Sequence, residues 1–513
     1  MLRSVLIVGV VLAGCLMNPA ALGESRFKPD RLYAGFYSSG FMHDRVEKRG
    51  GMKYEPSVRK LLNLVQRNGL NCLYLAIRED ELDNGRFPFW LAECAKRDIR
   101  IVCQLDFAYL RDNSDVDALV RKAVGFLKRF GSHPAVLAIS VREEPSAALL
   151  PKLQAYYAGI LRAAPDTILQ LTHAKTNAAA VTPEPYPHLM GGDPYPFHWT
   201  SWAQGYTATP RYAFSWFRKN CHAFWEAAYA RKALYQLTFT TNAYSRSCDE
   251  EELKSRYGKK PALLKQIRQW AKDGNQSWFI EPGTGRYVRW ELHRPPRNAT
   301  RAMIWIGVME GAKSLLHWSL SPSYPPDPTG KRGPQHTKFF TAGGIDLAGD
   351  GPELAEYAET VRTLRPFEDL ILNMRKDTTS LIETPGLMHR MHQLDTGQWL
   401  AVVVNTHIGS WNKGNTYFFK NDDVYRFSER GRPLDFRPDE AIRTYSIEAP
   451  TSLGVPYDLH TGKPLARAPG RDETTYTVQL MPGRGRFLFI GRKSGLSKVL
   501  RRCRKPISPA RTK

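Results

Sequence analysis

Two acids stand side by side in Arg142-Glu143-Glu144-Pro145, into which an apolar run from Pro134 to Val141 leads. Adjacent carboxylates repel, so at least one should keep its proton to a higher pH than an isolated glutamate does. A carboxyl protonated near neutrality is what general acid chemistry needs. Breaking a glycosidic bond needs such an acid, plus a second group that stabilises an oxocarbenium-like centre. Pro145 removes a backbone donor and fixes the exit of the chain from the strand. Most acidic pairs are solvated surface; the apolar run that delivers this one sets it apart.

The elements that would position the pair alternate short apolar runs with amphipathic helical patterns, the mark of repeated βα units. Strands are expected at 31–37, 71–77, 99–107, 134–141, 168–172, 189–193, 233–239 and 314–320. Between them, 57–68 reads as a helix with Val58, Leu61, Leu62 and Val65 on one face and Gly69 as its stop. Further helices fall near 90–96, 114–130, 147–163, 301–310 and 354–363, with Ser114 and Asp117 as a capping-box-like start for the 114–130 helix. No Gly-x-Gly-x-x-Gly turn follows the first strand, which favours a closed α/β barrel, the (β/α)8 TIM barrel, over an open doubly wound sheet. Residues 28–375 form this barrel. From 376 to 492 the pattern changes to short strand-like runs separated by turn residues, an antiparallel β-sandwich.

Barrels of this kind gather functional groups at the C-terminal ends of their strands. Strand three delivers Asp106 and Tyr109 there, strand four Glu143 and Glu144, and strand six Asp193 and Tyr195. Strand seven delivers Gln236, Thr238 and Asn242, and strand eight His317 and Trp318. Asp106, Tyr195, Gln236, His317 and Trp318 are the expected sugar contacts, with Trp318 as a flat platform. Asp193, before Pro194-Tyr195-Pro196, could equally cap a turn. The acidic run Asp249 to Glu252 reads as a solvated helix start or loop.

His133-Pro134-Ala135-Val136-Leu137-Ala138 running into Glu143-Glu144-Pro145 resembles the fourth strand of clan A glycoside hydrolase barrels, whose usual ending is Asn-Glu-Pro. Gly192-Asp193-Pro194-Tyr195-Pro196 and Gly311-Ala312-Lys313-Ser314-Leu315-Leu316-His317-Trp318 resemble a bacterial branch of such barrels. The segments Val455 to Lys463 and Met481 to Phe487 are similar to the C-terminal β-domain of those enzymes. The resemblance implies a hydrolase of O-glycosyl bonds in a poly- or oligosaccharide, with Glu144 as acid/base and Glu143 in place of the usual Asn. It also implies a nucleophilic Glu ending strand seven, and 233–239 carries none. Three readings stay open. Asp193, or a loop acid such as Glu281 or Glu291, supplies the second group. Alternatively Glu143 orients a 2-acetamido group, supported by Tyr195, while Glu144 protonates the leaving oxygen, as in substrate-assisted hexosaminidases. In the third, the barrel only binds glycan.

Residues 1–23 read as an export signal: Arg3 precedes a short apolar run, Val5 to Ala13, too short for a stable span. Leu12-Ala13-Gly14-Cys15 resembles a lipobox, which would lipidate Cys15, and it competes with an ordinary cleavage site at Ala21-Leu22-Gly23. The expected location is therefore outside the cytoplasm, with a lipid anchor as the one route to a membrane. The net charge is +23, and nine Lys and Arg with no acid lie between Arg492 and Lys513. The tail 493–513 is thus expected to be mobile, and the rest stays basic without it. Nucleic acid is a poor partner for an exported chain. An anionic polysaccharide, sulfated or uronic, fits better, beside the plainer reading of a soluble basic surface. The seven cysteines form no Cys-x-x-Cys pair, so neither metal nor cofactor is expected.

Overall fold

Eight parallel strands close on themselves in the computed structural model. It describes residues 27–39, 53–194, 210–240, 243–272, 278–280, 285, 287–292, 298–318, 320–321, 345–346, 352–377, 380–411, 436–449, 452–469 and 474–503. The barrel strands are β1 (Tyr33–Ser39), β2 (Cys72–Ile77), β3 (Arg100–Leu105), β4 (Val136–Glu143), β5 (Leu169–His173), β6 (Leu189–Gly192), β7 (Leu234–Thr240) and β8 (Ser314–Trp318). They neighbour one another in chain order, and β8 returns to β1 with Ser314 opposite Tyr33. The expected (β/α)8 barrel is the fold of the chain.

Alternation along each strand divides the core in two. Leu73, Leu75 and Ile77 of β2 pack outward against helices, while Cys72 and Tyr74 join Tyr33, Tyr37, Val102, Ala138, Leu189, Leu234 and Leu316 inside the ring. Both faces are covered, so β2 is buried at every position. At the β1–β2 contact a side chain on Gly35 would place its Cβ 1.6 Å from the Cys72 carbonyl oxygen, so only glycine fits. Helix α1 (Tyr54–Arg67) buries Val58, Leu61, Leu62 and Val65, the face its spacing predicted. Helix α2 (Val116–Phe130) starts differently from the expected capping box. Asp115 is the cap, accepting from the Ala118 N–H at 3.1 Å, while the Ser114 hydroxyl accepts from Arg111 N in the turn before it. Helix α3 (Leu150–Ala163) returns the chain to β5.

Between β7 and β8 the chain makes an excursion: an antiparallel three-stranded sheet (243–248, 287–292, 278–280) and two helices, Glu250–Tyr257 and Pro261–Lys272. Asp249 caps the first of these helices through the Glu252 N–H at 2.7 Å, so the acidic run is a helix start. Helix α4 (Ala299–Met309) then leads into β8, buried all round because the C-terminal domain covers its outer side.

That domain is built on strands β9 (Trp399–Asn405) and β10 (Gly485–Gly491) at the centre of an antiparallel sheet. Ala401, Val403, Leu488 and Ile490 face a second, two-stranded sheet of 443–448 with 475–480. Leu400, Val402, Val404, Phe487 and Phe489 face the barrel side. This is the expected sandwich. A buried charge cluster ties it to the barrel. Glu310, after α4, accepts from Arg390 Nε at 3.2 Å and Nη2 at 3.1 Å, and from Lys376 Nζ at 2.8 Å. Burial pushes the Glu310 carboxyl up, but the His222 ring 3.3 Å away, followed by the Lys376 and Arg390 cations, holds it down to about 2. Burial pulls the Lys376 ammonium down to about 8 against the opposing pull of Glu310, and the ammonium lies 3.7 Å over the Trp225 ring. The tail departs from expectation in its first half. Residues Lys493–Cys503 form helix α5, with Leu496, Val499 and Cys503 buried and Arg502 paired to Asp369 and Asp395. Apolar residues every three to four positions give this basic segment a face to dock. Residues 504–513, and the whole 1–23 signal with Cys15, lie outside the described residues.

Candidate functional site at the barrel mouth

Strand β4 does not run regularly to its end. Ser140 pairs with Gln170 of β5, but the next pair joins Glu143 to Thr172, so three steps on β4 oppose two on β5. This is a β-bulge, and an extra residue switches the face that every later side chain occupies. Ala138 and Ser140 lie on the interior side; strict alternation from them would aim Glu144 inward and Glu143 outward. The bulge reverses the two. Glu143 turns into the barrel mouth toward Tyr37 and Tyr74, and Glu144 leaves the strand as an exposed side chain.

The loop after β3 holds the bulge in place. Leu110 N–H donates to the Val141 carbonyl at 2.9 Å, and Arg142 donates to the Leu110 carbonyl at 3.2 Å with its guanidinium 5.1 Å over the Tyr109 ring. The Tyr109 hydroxyl accepts from Glu143 N–H at 3.0 Å, so the backbone donor freed by the bulge is satisfied. Glu144 N–H donates to the Thr172 carbonyl at 2.8 Å, and Glu144 sits at φ 47°, in the left-handed region that a residue with a Cβ adopts at a cost of about 1–2 kcal/mol. Such strain persists where surrounding contacts enforce it, often at functional positions.

Burial is the largest influence on Glu143 and pushes its carboxyl up to about 7. The Tyr74 hydroxyl pulls it down, the Glu144 charge pushes it up, and the Tyr37 hydroxyl and the Asp106 charge act in these same opposed senses more weakly. The raised carboxyl expected of the pair therefore belongs to Glu143, and burial outranks repulsion as its cause. Asp106, after β3, is also raised by burial, against the Gln104 amide, which donates to it at 2.6 Å, and against Arg111 and Arg78.

The other expected site residues divide. Asp193 follows β6 on the interior side, 7% exposed, and its charge, like that of Glu143, acts on the Tyr37 hydroxyl. Gln236 is fully buried on β7, in register between Gly191 and Ser314, and its amide finds no hydrogen-bond partner among the described residues. It lies within the ring rather than at its open end. His317 is a correction. Its ring packs outside the barrel against Phe36, Phe239 and Tyr357, fully buried, and burial drives its pKa to about 3. Alternation on β8 explains this, since Leu316 takes the inward side and its neighbour must point out. Trp318 ends β8 in register with Tyr37 and Thr240; its side chain, like that of Glu291, is outside the described part. Tyr195, Asn242 and Glu281 also lie outside the described residues. Among the described interior positions of β7 no carboxylate occurs, and among the described residues no three His, Cys, Asp or Glu gather as a metal would need.

The sequence reading missed the floor under the pair. Tyr37 and Tyr74 stack with centroids 4.1 Å apart, and the Tyr37 hydroxyl crosses the ring to Thr172 Oγ1 at 2.9 Å. Gln170 Nε2 donates to the same Thr172 oxygen at 2.7 Å. Polar residues two apart inside apolar strands, as in Gln170-x-Thr172 and Gln236-x-Thr238, were the available signal.

No protein-family model and no curated protein matches the chain. Solved structures with a similar course include an Anoxybacillus alpha-amylase, at 8% identity over 90% of this chain and 98% of that one, with a TM-score of 0.47. A GH30 xylanase C catalytic domain from Talaromyces cellulolyticus is similar at 13% identity over 91% and 98%, with a TM-score of 0.40. A glycoside hydrolase family 5 mannosidase from Rhizomucor miehei is similar at 9% identity over 66% and 94%, with a TM-score of 0.38. Likeness at this level concerns the course of the chain, and no residue's role is carried over from it.

Proposed function

We propose that this chain is a glycoside hydrolase that cleaves O-glycosyl bonds at the barrel mouth, with Glu143 as proton donor. One observation carries the reading: a mouth-facing carboxyl held at about 7, so that much of it is protonated at neutral pH. In the reaction the Glu143 proton passes to the glycosidic oxygen as its bond to the anomeric carbon breaks. A second carboxylate has to meet the positive charge left on the sugar, and water then adds its hydroxyl to the anomeric carbon while its proton returns the carboxylates to their starting state. Asp193 is our candidate. It lies two strands from Glu143, a backbone separation of roughly 10 Å that inward side chains shorten into the ~5–10 Å range of paired glycosidase carboxylates. The family resemblance gave the acid role to Glu144; the bulge is our reason for moving it one residue back. Glu144, exposed beside the mouth, is left to contact the leaving sugar.

Release of reducing ends from a panel of neutral, amino and uronic oligosaccharides tests this. Glu143→Gln should lower turnover by roughly 10²- to 10⁴-fold, the ordinary value of a general acid, and Asp193→Asn should also be severely impaired. Hydrolysis that survives Glu143→Gln removes Glu143 from the acid role. Binding without turnover by the unaltered protein would instead make the chain a glycan-binding barrel. Export with lipidation at Cys15 belongs to the same proposal, and Cys15→Ala should then release the protein from the membrane fraction.

A further inference from the structure

We infer that the cleft between helix α4, the helix Pro352–Leu364 and the sandwich is a second binding site, which takes the acidic group of an anionic saccharide unit, a uronate or a sugar sulfate. The inference rests on the proposed function for the sugar that carries the charge, and goes beyond it in placing a site away from the mouth. The cleft has a volume of about 210 Å³. That is below the ~300–1,000 Å³ of ordinary small-molecule pockets, so it suits one ring rather than a length of chain. Arg301 and Trp305 of α4 line it, with Glu359 from the neighbouring helix and Arg484 and Arg486 from the sandwich. Helix α4 stands between the cleft and the barrel strands, since Gly307 on the same helix packs on Leu237 of β7. A ligand here is therefore separated from the mouth by a helix and a strand.

Arg301 and Arg484 share the Glu359 carboxylate through their Nη2 atoms, one to each oxygen. Arg486 pairs with Asp458, whose other oxygen accepts from His460 N–H at 2.9 Å. Three cations thus meet two anions. Arg301 also donates from Nη1 to Asn298 Oδ1 at 3.0 Å. Its Nε–H is buried with no hydrogen-bond partner among the described residues, and so is that of Arg484. A buried donor left idle is costly, and two beside an unmatched positive charge call for an acceptor. Nε and Nη2 form the fork with which arginine grips a carboxylate or sulfate, and on both residues only one prong is engaged. An oxyanion set beside Glu359 can take the other two. The rim adds an apolar side: Ile442 is 62% exposed and Met481 39%. A bare inorganic anion gains nothing from such a rim, whereas the C–H face of a pyranose ring does.

Ligand-observed NMR titration of the full chain tests this, with D-glucuronate, glucose 6-sulfate, glucose and sodium sulfate as probes. The two acidic sugars should bind, and glucose roughly tenfold more weakly or worse. Arg484→Gln should weaken both acidic sugars by roughly tenfold or more, whereas Glu359→Gln, which frees two guanidiniums, should strengthen them by about tenfold. Should Arg484→Gln fold poorly, Met481→Asp at the exposed rim sets a like charge beside the ligand and should weaken binding by a similar factor. Glu143→Gln, on the far side of a helix and a strand, should leave these affinities within about twofold. Affinity that follows Glu143→Gln rather than Arg484→Gln puts the sugar at the mouth and overturns the inference. So does a failure of both acidic sugars to bind, a weakening by Glu359→Gln, or inorganic sulfate binding as tightly as glucose 6-sulfate, which would make the cleft a plain anion site. Acidic sugars bound as expected, with no glycan cleaved by the unaltered protein, would defeat the proposed function and leave this inference standing.

Discussion

Replacing Glu143 with Gln should stabilise the protein, and the gain should depend on pH as it does for an acid whose pKa is raised on folding. The ordinary carboxyl value is 4.5 and Glu143 stands at about 7. Across that interval the folded protein binds the proton that the unfolded chain has released, so stability falls as pH rises. Each pH unit is worth about 1.4 kcal/mol, which makes the cost above pH 7 about 3 kcal/mol. Gln has the shape of the acid and no charge to bury. Below pH 4.5 the two proteins should therefore differ little. The advantage of Glu143→Gln should then grow to about 3 kcal/mol by pH 7.5 and stay level beyond it. Urea unfolding at half-unit steps from pH 4 to 8.5, fitted with a common slope, measures this. Glu144→Gln, at an exposed position, should change stability by less than about 1 kcal/mol throughout. A flat difference for Glu143→Gln, or a pH-dependent gain that belongs to Glu144→Gln, would refute the assignment of the raised acid to Glu143.

Glu144→Asn tests the strained backbone, because Asn tolerates φ near 47° better than Glu does. It should gain about 1 kcal/mol in urea unfolding while reducing glycan turnover; a loss of stability would contradict the strain. Glu310→Gln leaves Lys376 and Arg390 buried without their anion and should cost roughly 3–5 kcal/mol. Because the Glu310 carboxyl is held at about 2, the stability it confers is complete above 4.5 and is lost as pH falls toward 2, so the variant's deficit should shrink on acidification. Ending the chain at Arg492 uncovers the surface covered by Leu496 and Val499 and should cost stability on the order of 2 kcal/mol for each lost side chain, lowering the thermal midpoint with it. An unchanged midpoint would show that α5 contributes nothing.

Much of the architecture was legible because periodicity survives in the sequence. The β2 run is apolar throughout since both its faces are buried, and α1 keeps its 3.6-residue spacing since only one face is. The bulge in β4 was not legible. Val141-Arg142 looks like an ordinary strand end, and what forces the extra residue is the Tyr109 loop, a contact from 34 residues away. That one shift of face exchanges Glu143 and Glu144. His317 was misplaced for the opposite reason, as regular alternation does hold on β8 and points it outward. The docking of α5 was hidden by its basic composition, which masks three buried side chains on one side of a helix.

The most direct test is a crystal structure of Glu143→Gln soaked with an oligosaccharide that the unaltered protein cleaves. We expect a sugar spanning the barrel mouth, its glycosidic oxygen within hydrogen-bond reach of the residue 143 amide and Asp193 on the other side of the ring. A saccharide bound with its scissile oxygen beyond reach of residue 143, or seated away from the mouth altogether, would contradict the assignment.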